Sequence, residues 1–174
     1  MELEVFSTKR MIVRRYMDAD LKLLESLCLD SSVWTYSTRD WSAVTDPAPI
    51  YLNELHLKYT NQSYGVYAAF LDDNSYVGEV GVYSESPTNR RVNVGYNLLS
   101  KYWNRGFATE LLSGFVELLR EASCIERIEA TVLSENKASI RVLEKTGFLH
   151  EGTLRKYVYL DGNFCDVAYF SIIP

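Results

Sequence analysis

The chain has 174 residues, a formal net charge of −5, 47% hydrophobic and 24% charged residues. That size and mix fit one globular domain spanning residues 1–174 and exclude a disordered chain. The acidic balance argues against the basic stripe of a nucleic-acid binder; it suits an amine partner, and ordinary solubility charge accounts for it equally.

Cys28, Cys124 and Cys165 are widely spaced and His56 and His150 are the only histidines. This pattern shows no disulfide framework and too few ligands for a zinc cluster, so no metal is expected. No apolar run approaches the ~18 residues of a membrane span. The first residues are charged where a signal peptide would be apolar. The expected location is the reducing cytoplasm, with no membrane partner.

In chain order, Arg10–Tyr16 reads as a first strand, with Met11 and Val13 on one face. Asp18 and Asp20 are placed to cap a helix whose apolar positions include Leu21, Leu24, Leu27 and Cys28. A looser segment, Ser31–Thr45, carries Trp34, Tyr36 and Trp41. Asp46-Pro47 has the form of a cap followed by proline in the first turn. Tyr51, Leu52, Leu55 and Tyr59 share one face of that second helix. Tyr64–Leu71, Tyr76–Tyr83 and Arg91–Leu99 read as strands of an antiparallel meander, separated by the turn clusters Asp72–Asn74 and Ser86–Asn89.

The clearest helix follows, with Ala108, Leu111, Leu112, Phe115, Leu118, Leu119 and Ala122 forming a stripe that faces a sheet. Ile125–Leu133 is a further strand, and Ser134-Glu135-Asn136 opens a short helix that stops at Gly147-Phe148 with a left-handed cap. Asp161-Gly162 marks a two-residue hairpin between two last strands. The order β-α-α-β-β-β-α-β-α-β-β implies a largely antiparallel sheet with helices on its faces.

The chemistry concentrates in Val94–Thr109, where a strand runs through a polar turn into the long helix. The first amides of a helix lack internal partners and carry the positive end of its dipole. Gly106 lets a ligand approach the main chain, and Arg105 adds positive charge. Together they suit a pyrophosphate. By itself the segment is equally an ordinary strand-to-helix turn with a glycine.

The wider context is more specific. Gly95-Tyr96-Asn97-Leu98, Tyr102-Trp103-Asn104-Arg105-Gly106-Phe107-Ala108-Thr109-Glu110 and Glu135-Asn136-Lys137-Ala138-Ser139-Ile140-Arg141-Val142-Leu143-Glu144-Lys145-Thr146-Gly147-Phe148 occur in order. Thr8–Met11, Glu151-Gly152, Asp161-Gly162 and Asp166 are further marks. The chain thereby resembles the GNAT superfamily, and within it the branch that acetylates ribosomal-protein N-termini and related amines. Two positions depart from common patterns. Trp103 stands where the wider superfamily often has Gln or Arg, and Asn93 stands where many members of the branch have an acidic residue, so no carboxylate base is available there.

The resemblance implies an α/β GNAT fold with about seven strands, helices on both faces and a splayed central pair ending at Leu99 and Leu133. It implies acetyl-CoA as cosubstrate, its arm pairing with main-chain groups near Leu98 and Leu99. One N–H there would stabilise an oxyanion, a contribution of ~3–4 kcal/mol. The pyrophosphate would sit on the amides of Asn104, Arg105, Gly106, Phe107, Ala108 and Thr109. Asn136 is either a cofactor ligand or a plain N-cap. Ser139 either supplies a proton to the departing thiolate or satisfies local backbone. Glu79 is either the base or a solvent-facing charge. The loop aromatics either cage a cation or pack the loop onto the sheet.

The expected reaction is transfer of an acetyl group to a primary amine by direct attack, the acceptor being a peptide or protein N-terminus. A small amine (polyamine, amino acid or antibiotic) is the alternative, and an acyl-CoA-binding sensor a third reading. The missing carboxylate at Asn93 leans toward an amine of low pKa. A homodimer is in keeping with the family.

Overall fold

The computed structural model describes residues 4–61, 64–122 and 124–174. Eight strands form one sheet, against the roughly seven expected. They are β1 (Glu4–Ser7), β2 (Met11–Arg14), β3 (Val66–Leu71), β4 (Tyr76–Ser86), β5 (Arg91–Leu98), β6 (Arg127–Leu133), β7 (Leu149–Leu160) and β8 (Asn163–Ile172). Their order is β1-β2-β3-β4-β5-β6-β8-β7. The added strand is β1, which lies antiparallel on β2. Its four residues are too few to show a period in the sequence.

Five α-helices accompany the sheet: α1 (Leu21–Leu29), α2 (Ser31–Trp34), α3 (Pro47–Asn61), α4 (Phe107–Arg120) and α5 (Lys137–Lys145). They cover both faces. On one, Tyr51 of α3 reaches Glu79 of β4. On the other, Phe115 of α4 packs on Tyr67 of β3 and Phe6 of β1, each with ring centroids 6.0 Å apart. Leu111, Leu112, Phe115 and Leu119 of the α4 stripe are 0% exposed.

Asp20 stands at the N-cap position of α1, but its side chain makes no cap hydrogen bond to that helix. Asp18–Asp20 form a 3-10 turn, and the buried Asp20 carboxylate takes the Arg14 guanidinium at 2.6 and 2.8 Å and the Met17 amide at 2.8 Å. A buried charge is retained when paired this way, and the pairing claims the side chain that a cap would use.

Other local signals act as their chemistry requires. Asn136 caps α5, its Oδ1 accepting from the Ser139 amide at 3.0 Å. Gly147 ends that helix at φ 87°, and the Phe148 amide returns to the Leu143 carbonyl at 3.0 Å. Asp161 and Gly162, both left-handed, close the β7–β8 hairpin between Leu160 and Asn163.

The feature that makes the site is a parting of the sheet. All neighbouring strands pair antiparallel except β5 and β6, which run parallel and pair only over Arg91–Asn93 against Arg127–Glu129. Beyond Asn93 and Glu129 the two strands continue to Leu98 and Leu133 without pairing to each other. A gap is left at the sheet's centre.

Candidate active site

A cleft of about 720 Å³ follows that gap. Tyr96, Asn97 and Leu98 line it from β5, Ala130–Leu133 from β6, Phe107–Thr109 from the start of α4, Asn136 and Ser139 from α5, and Tyr36–Thr38 from the loop after α2. The facing edges of β5 and β6 beyond Asn93 and Glu129, and the first turn of α4, leave main-chain groups there without a secondary-structure partner.

The floor is the start of α4. Gly106 precedes it at φ 78°, a left-handed conformation that glycine adopts without steric cost, and Asn104 is also left-handed at φ 58°. No side chain caps the helix. Among the described residues, the main-chain N–H groups of Gly106, Phe107, Ala108 and Thr109 meet no protein acceptor. Four such donors at the positive end of a helix of 14 residues make an anion cradle. Asn104, Gly106, Phe107, Ala108 and Thr109 line the cleft; the Arg105 side chain does not.

Glu110 stands in the first turn of this helix and would repel an anion if turned into the cradle. Instead its carboxylate accepts from the Arg10 Nε at 2.6 Å, the Thr8 hydroxyl at 2.7 Å and the Arg10 amide at 2.8 Å. Burial opposes its charge, but these hydrogen bonds outweigh burial and hold the carboxyl below the usual range. Arg10 also lies over the Phe107 ring at 4.1 Å and donates to the Arg105 carbonyl at 3.2 Å. The Thr8–Arg10 segment therefore braces the cradle.

The β5 wall presents two different faces. Consecutive strand residues point to opposite sides of a sheet. Tyr96 faces α5, its hydroxyl donating to Ser139 Oγ at 3.1 Å. Burial pushes the Tyr96 phenol up, against the opposing pull of that hydrogen bond. Asn97 faces the α3 side, where its amide donates to Glu79 at 2.7 Å and to the Tyr83 hydroxyl at 2.9 Å.

Main-chain groups alternate as well. The Leu99 amide donates to the Val77 carbonyl at 3.0 Å, in register with Gly78 opposite Leu98. Leu99 thus spends its N–H on β4, while Tyr96 and Leu98 turn theirs toward the gap. The Leu98 carbonyl is taken by the Trp103 indole N–H at 2.7 Å. Of the expected pair, Leu98 keeps a donor for the cleft, whereas Leu99 does not line it.

Glu79 is not a solvent-facing charge. It is 0% exposed and accepts hydrogen bonds from Tyr51 (2.6 Å), Tyr83 (3.0 Å), Tyr16 (3.0 Å) and Asn97. Gly78 allows this placement, since a Cβ there would overlap the Asn97 carbonyl oxygen. Burial pushes the Glu79 carboxyl up, while the hydrogen bonds pull the other way.

The loop aromatics pack rather than form an open cage. Trp41 is 7% exposed and lies 5.3 Å from Tyr51 and 6.1 Å from Trp34. The chain's own Arg39 lies over both Trp41 and Tyr51 at 4.8 Å, with Glu54 as its ion-pair partner at 2.7 Å. Tyr36 alone of the three aromatics lines the cleft.

Tyr96, Asn97 and Tyr83 are the side chains that sequence reasoning did not assign to the site. The motif around Gly95-Tyr96 held two of them. The strand's two-residue period was the available signal, but its meaning depends on what packs against each face.

A parted sheet with an open helix cradle at its centre is the architecture of a CoA-dependent acyltransferase. A model of the acetyltransferase (GNAT) domain matches residues 10–149, and the chain belongs to that family. It is an acyltransferase. A Bacillus subtilis protein described as the uncharacterized N-acetyltransferase YoaA is 28% identical over 172 residues, covering 97% of this chain and 96% of that protein. The ribosomal L7/L12 α-N-protein acetyltransferase RimL superposes with a TM-score of 0.88 at 20% identity, covering 100% of this chain and 96% of RimL. RimL in complex with coenzyme A gives 0.86 at 20% identity, covering 99% and 98%. Among the described residues no helix is long and apolar enough to cross a membrane, and no group of three or more His, Cys, Asp or Glu could hold a metal.

Proposed function

We propose that the chain transfers the acetyl group of acetyl-CoA to the α-amine of a peptide or protein N-terminus. The observation that carries this reading is the open cradle at Gly106–Thr109 leading directly into the gap between β5 and β6. The cradle amides would hold the pyrophosphate of the cosubstrate, with Asn104 at its rim and Arg105 contributing long-range charge. The β5 edge would hold the arm. The Leu98 N–H is placed to donate to the thioester oxygen as it becomes an oxyanion, the kind of donor worth ~3–4 kcal/mol when preorganised. Asn136 spends Oδ1 on its cap, and its amide nitrogen has no partner among the described residues, so it can still donate to the arm. Acetyl-CoA supplies the activated acyl group.

Ser139 and Tyr96 act on the leaving side. Tyr96 donates to Ser139 Oγ, so the serine hydrogen is free to point into the cleft. Attack forms the C–N bond; collapse breaks the C–S bond; the thiolate takes its proton through the Ser139 hydroxyl, and the new amide nitrogen loses its extra proton on the opposite face.

The acceptor class is supported by charge. Arg141 and Lys145 are the charged residues of the cleft lining, and no carboxylate lines it among the described residues. A polyamine carries several positive charges and needs acidic partners. An α-amine, with a pKa of about 7.7–8.0, is partly neutral at cellular pH and needs none. RimL's description as an α-N-protein acetyltransferase points the same way. The test is thiol release from acetyl-CoA with a panel of α-amine peptides, amino acids and spermidine. Preference for the peptides is expected; turnover of spermidine alone would overturn the acceptor assignment, and binding of acetyl-CoA with no turnover of any amine would favour a sensor.

A further inference from the structure

Glu79 and Asn97 stand opposite each other on β4 and β5. Every contact that Glu79 makes is one in which it accepts. Tyr51, Tyr83 and Asn97 donate to Oε1, and Tyr16, itself bonded to Tyr76 at 2.6 Å, donates to Oε2. Three hydroxyls and an amide N–H around one carboxyl favour its ionised form and offset the cost of burying it. Glu79 does not line the cleft, whereas Asn97 does. A direct proton transfer from a substrate to Glu79 has no path.

Asn97 spends both amide hydrogens inward, at 2.7 Å on Glu79 and 2.9 Å on Tyr83. Its Oδ1 has no partner among the described residues. Among the described residues, the buried side-chain nitrogen and oxygen atoms without partners are Trp41 Nε1 and Ser134 Oγ, so the unpaired Asn97 Oδ1 is not fully buried. Flipping the amide would set Oδ1 against the Glu79 carboxylate, two acceptors face to face. The carboxylate therefore fixes the amide in one sense, with its carbonyl oxygen turned away from the Glu79 cluster on a residue that lines the cleft.

We infer that Asn97 receives the acceptor, its Oδ1 accepting an N–H of a neutral primary amine whose lone pair meets the thioester carbonyl carbon, and that Glu79 and Tyr83 are positioning residues that hold the amide in this sense. The inference rests on the acetyltransferase reading above. Asn97 and Tyr96 are successive residues on opposite faces of β5, so the amine enters on the face away from the leaving thiolate. As the C–N bond forms, the nitrogen becomes cationic, and its hydrogen bond to Oδ1 becomes charge-assisted. The contact is stronger in the transition state than before it, which is the condition for accelerating the step. The surplus proton then passes from nitrogen to water.

The test is steady-state kinetics with an alanine-starting tripeptide amide for the wild type, Asn97→Ala, Glu79→Gln and the double variant. Acetyl-CoA affinity is followed by calorimetry. Each single variant is expected to lose roughly 10- to 100-fold in kcat/KM for the peptide, with acetyl-CoA affinity unchanged within about 2-fold. The double variant is expected to lose no more than Asn97→Ala, because Glu79 acts through Asn97. The rise of kcat/KM with pH is expected to follow the amine and to persist in Glu79→Gln. Additive losses, disappearance of that rise, or an undiminished Asn97→Ala would overturn the inference while leaving the acetyltransferase reading intact. A wild type that turns over no amine would overturn both. Should Glu79→Gln fail to fold, Tyr83→Phe, at the partly exposed end of the cluster, takes its place in the same cycle with the same expected non-additivity.

Discussion

Ser139 illustrates how one residue serves two purposes. Its amide completes the α5 cap and its hydroxyl meets Tyr96. Removing the hydroxyl leaves the cap intact, so Ser139→Ala is expected to fold normally. It should lower kcat by roughly 5- to 30-fold, the equivalent of about 1–2 kcal/mol, with little change in acetyl-CoA affinity. Turnover equal to the wild type would remove Ser139 from the proton path. Glu110 gives a pH prediction. Its folded-state pKa lies below the unfolded value of about 4.3. The unfolded chain therefore binds more protons in that window, and Glu110's contribution to stability is present above about pH 4.3 and lost as pH falls through the folded value. Glu110→Gln is expected to flatten the acid limb of stability measured by urea unfolding between about pH 5 and 3. An unchanged limb would show that Glu110 contributes nothing to it.

At the scale of elements, the cradle depends on a turn that only some residues can make. A Cβ at Gly106 would make only an ordinary van der Waals contact, with Arg10 Nη2 at 3.6 Å. The demand is conformational: φ 78° costs a non-glycine residue roughly 1 kcal/mol or more. Gly106→Ala is expected to lower thermal stability by about that amount and to weaken acetyl-CoA binding more than tenfold, since relaxation of the turn would redirect the first α4 amides. Calorimetry showing unchanged affinity would separate the cradle from the turn. Behind it, Phe115 ties α4 to β1 and β3 with no exposed surface. Phe115→Ala is expected to cost about 3–5 kcal/mol in denaturant unfolding.

For the whole molecule, the parted sheet means that the folded chain holds an unsatisfied cleft. A ligand that fills it binds the folded state alone. Acetyl-CoA at 100 times its dissociation constant is expected to add about 2.7 kcal/mol to stability, read as a rise in melting temperature that grows with ligand concentration. No shift at saturating concentration would count against the fit of cleft and cosubstrate. In the proposed reaction the same architecture would separate the two proton events. The leaving side would lie toward α5 with Tyr96 and Ser139, and the amine side toward α3 with Asn97 and the buried Glu79 cluster. The cluster's charge sits in the core without a directly bonded cation, held by three tyrosine hydroxyls and an amide. Four donors are what make such burial tolerable.

Apart from β1 and the short α2, element order was legible in the sequence, as were the α4 stripe, the Gly147 stop and the Asp161-Gly162 hairpin, because each is fixed by local chemistry: a helical period, a left-handed glycine, a two-residue turn. The cradle was legible for the same reason, being a helix start with a glycine. What no local pattern could fix was the company each side chain keeps. Glu79 on its strand could have faced water; the register against Asn97 and the arrival of Tyr51 from α3 put it in the core. Trp34 and Trp41 could have formed an open cage; Arg39 and Tyr51 closed it. Asp20 could have capped α1; Arg14 claimed it. The sequence by itself determined the longer helices and strands and the turns between them, since backbone preferences and periodicity act within a few residues; β1 and α2, four residues each, are too short to show a period. Tertiary structure alone decided where β5 leaves β6 and which face of β5 meets which helix, because those depend on contacts between residues far apart in the chain.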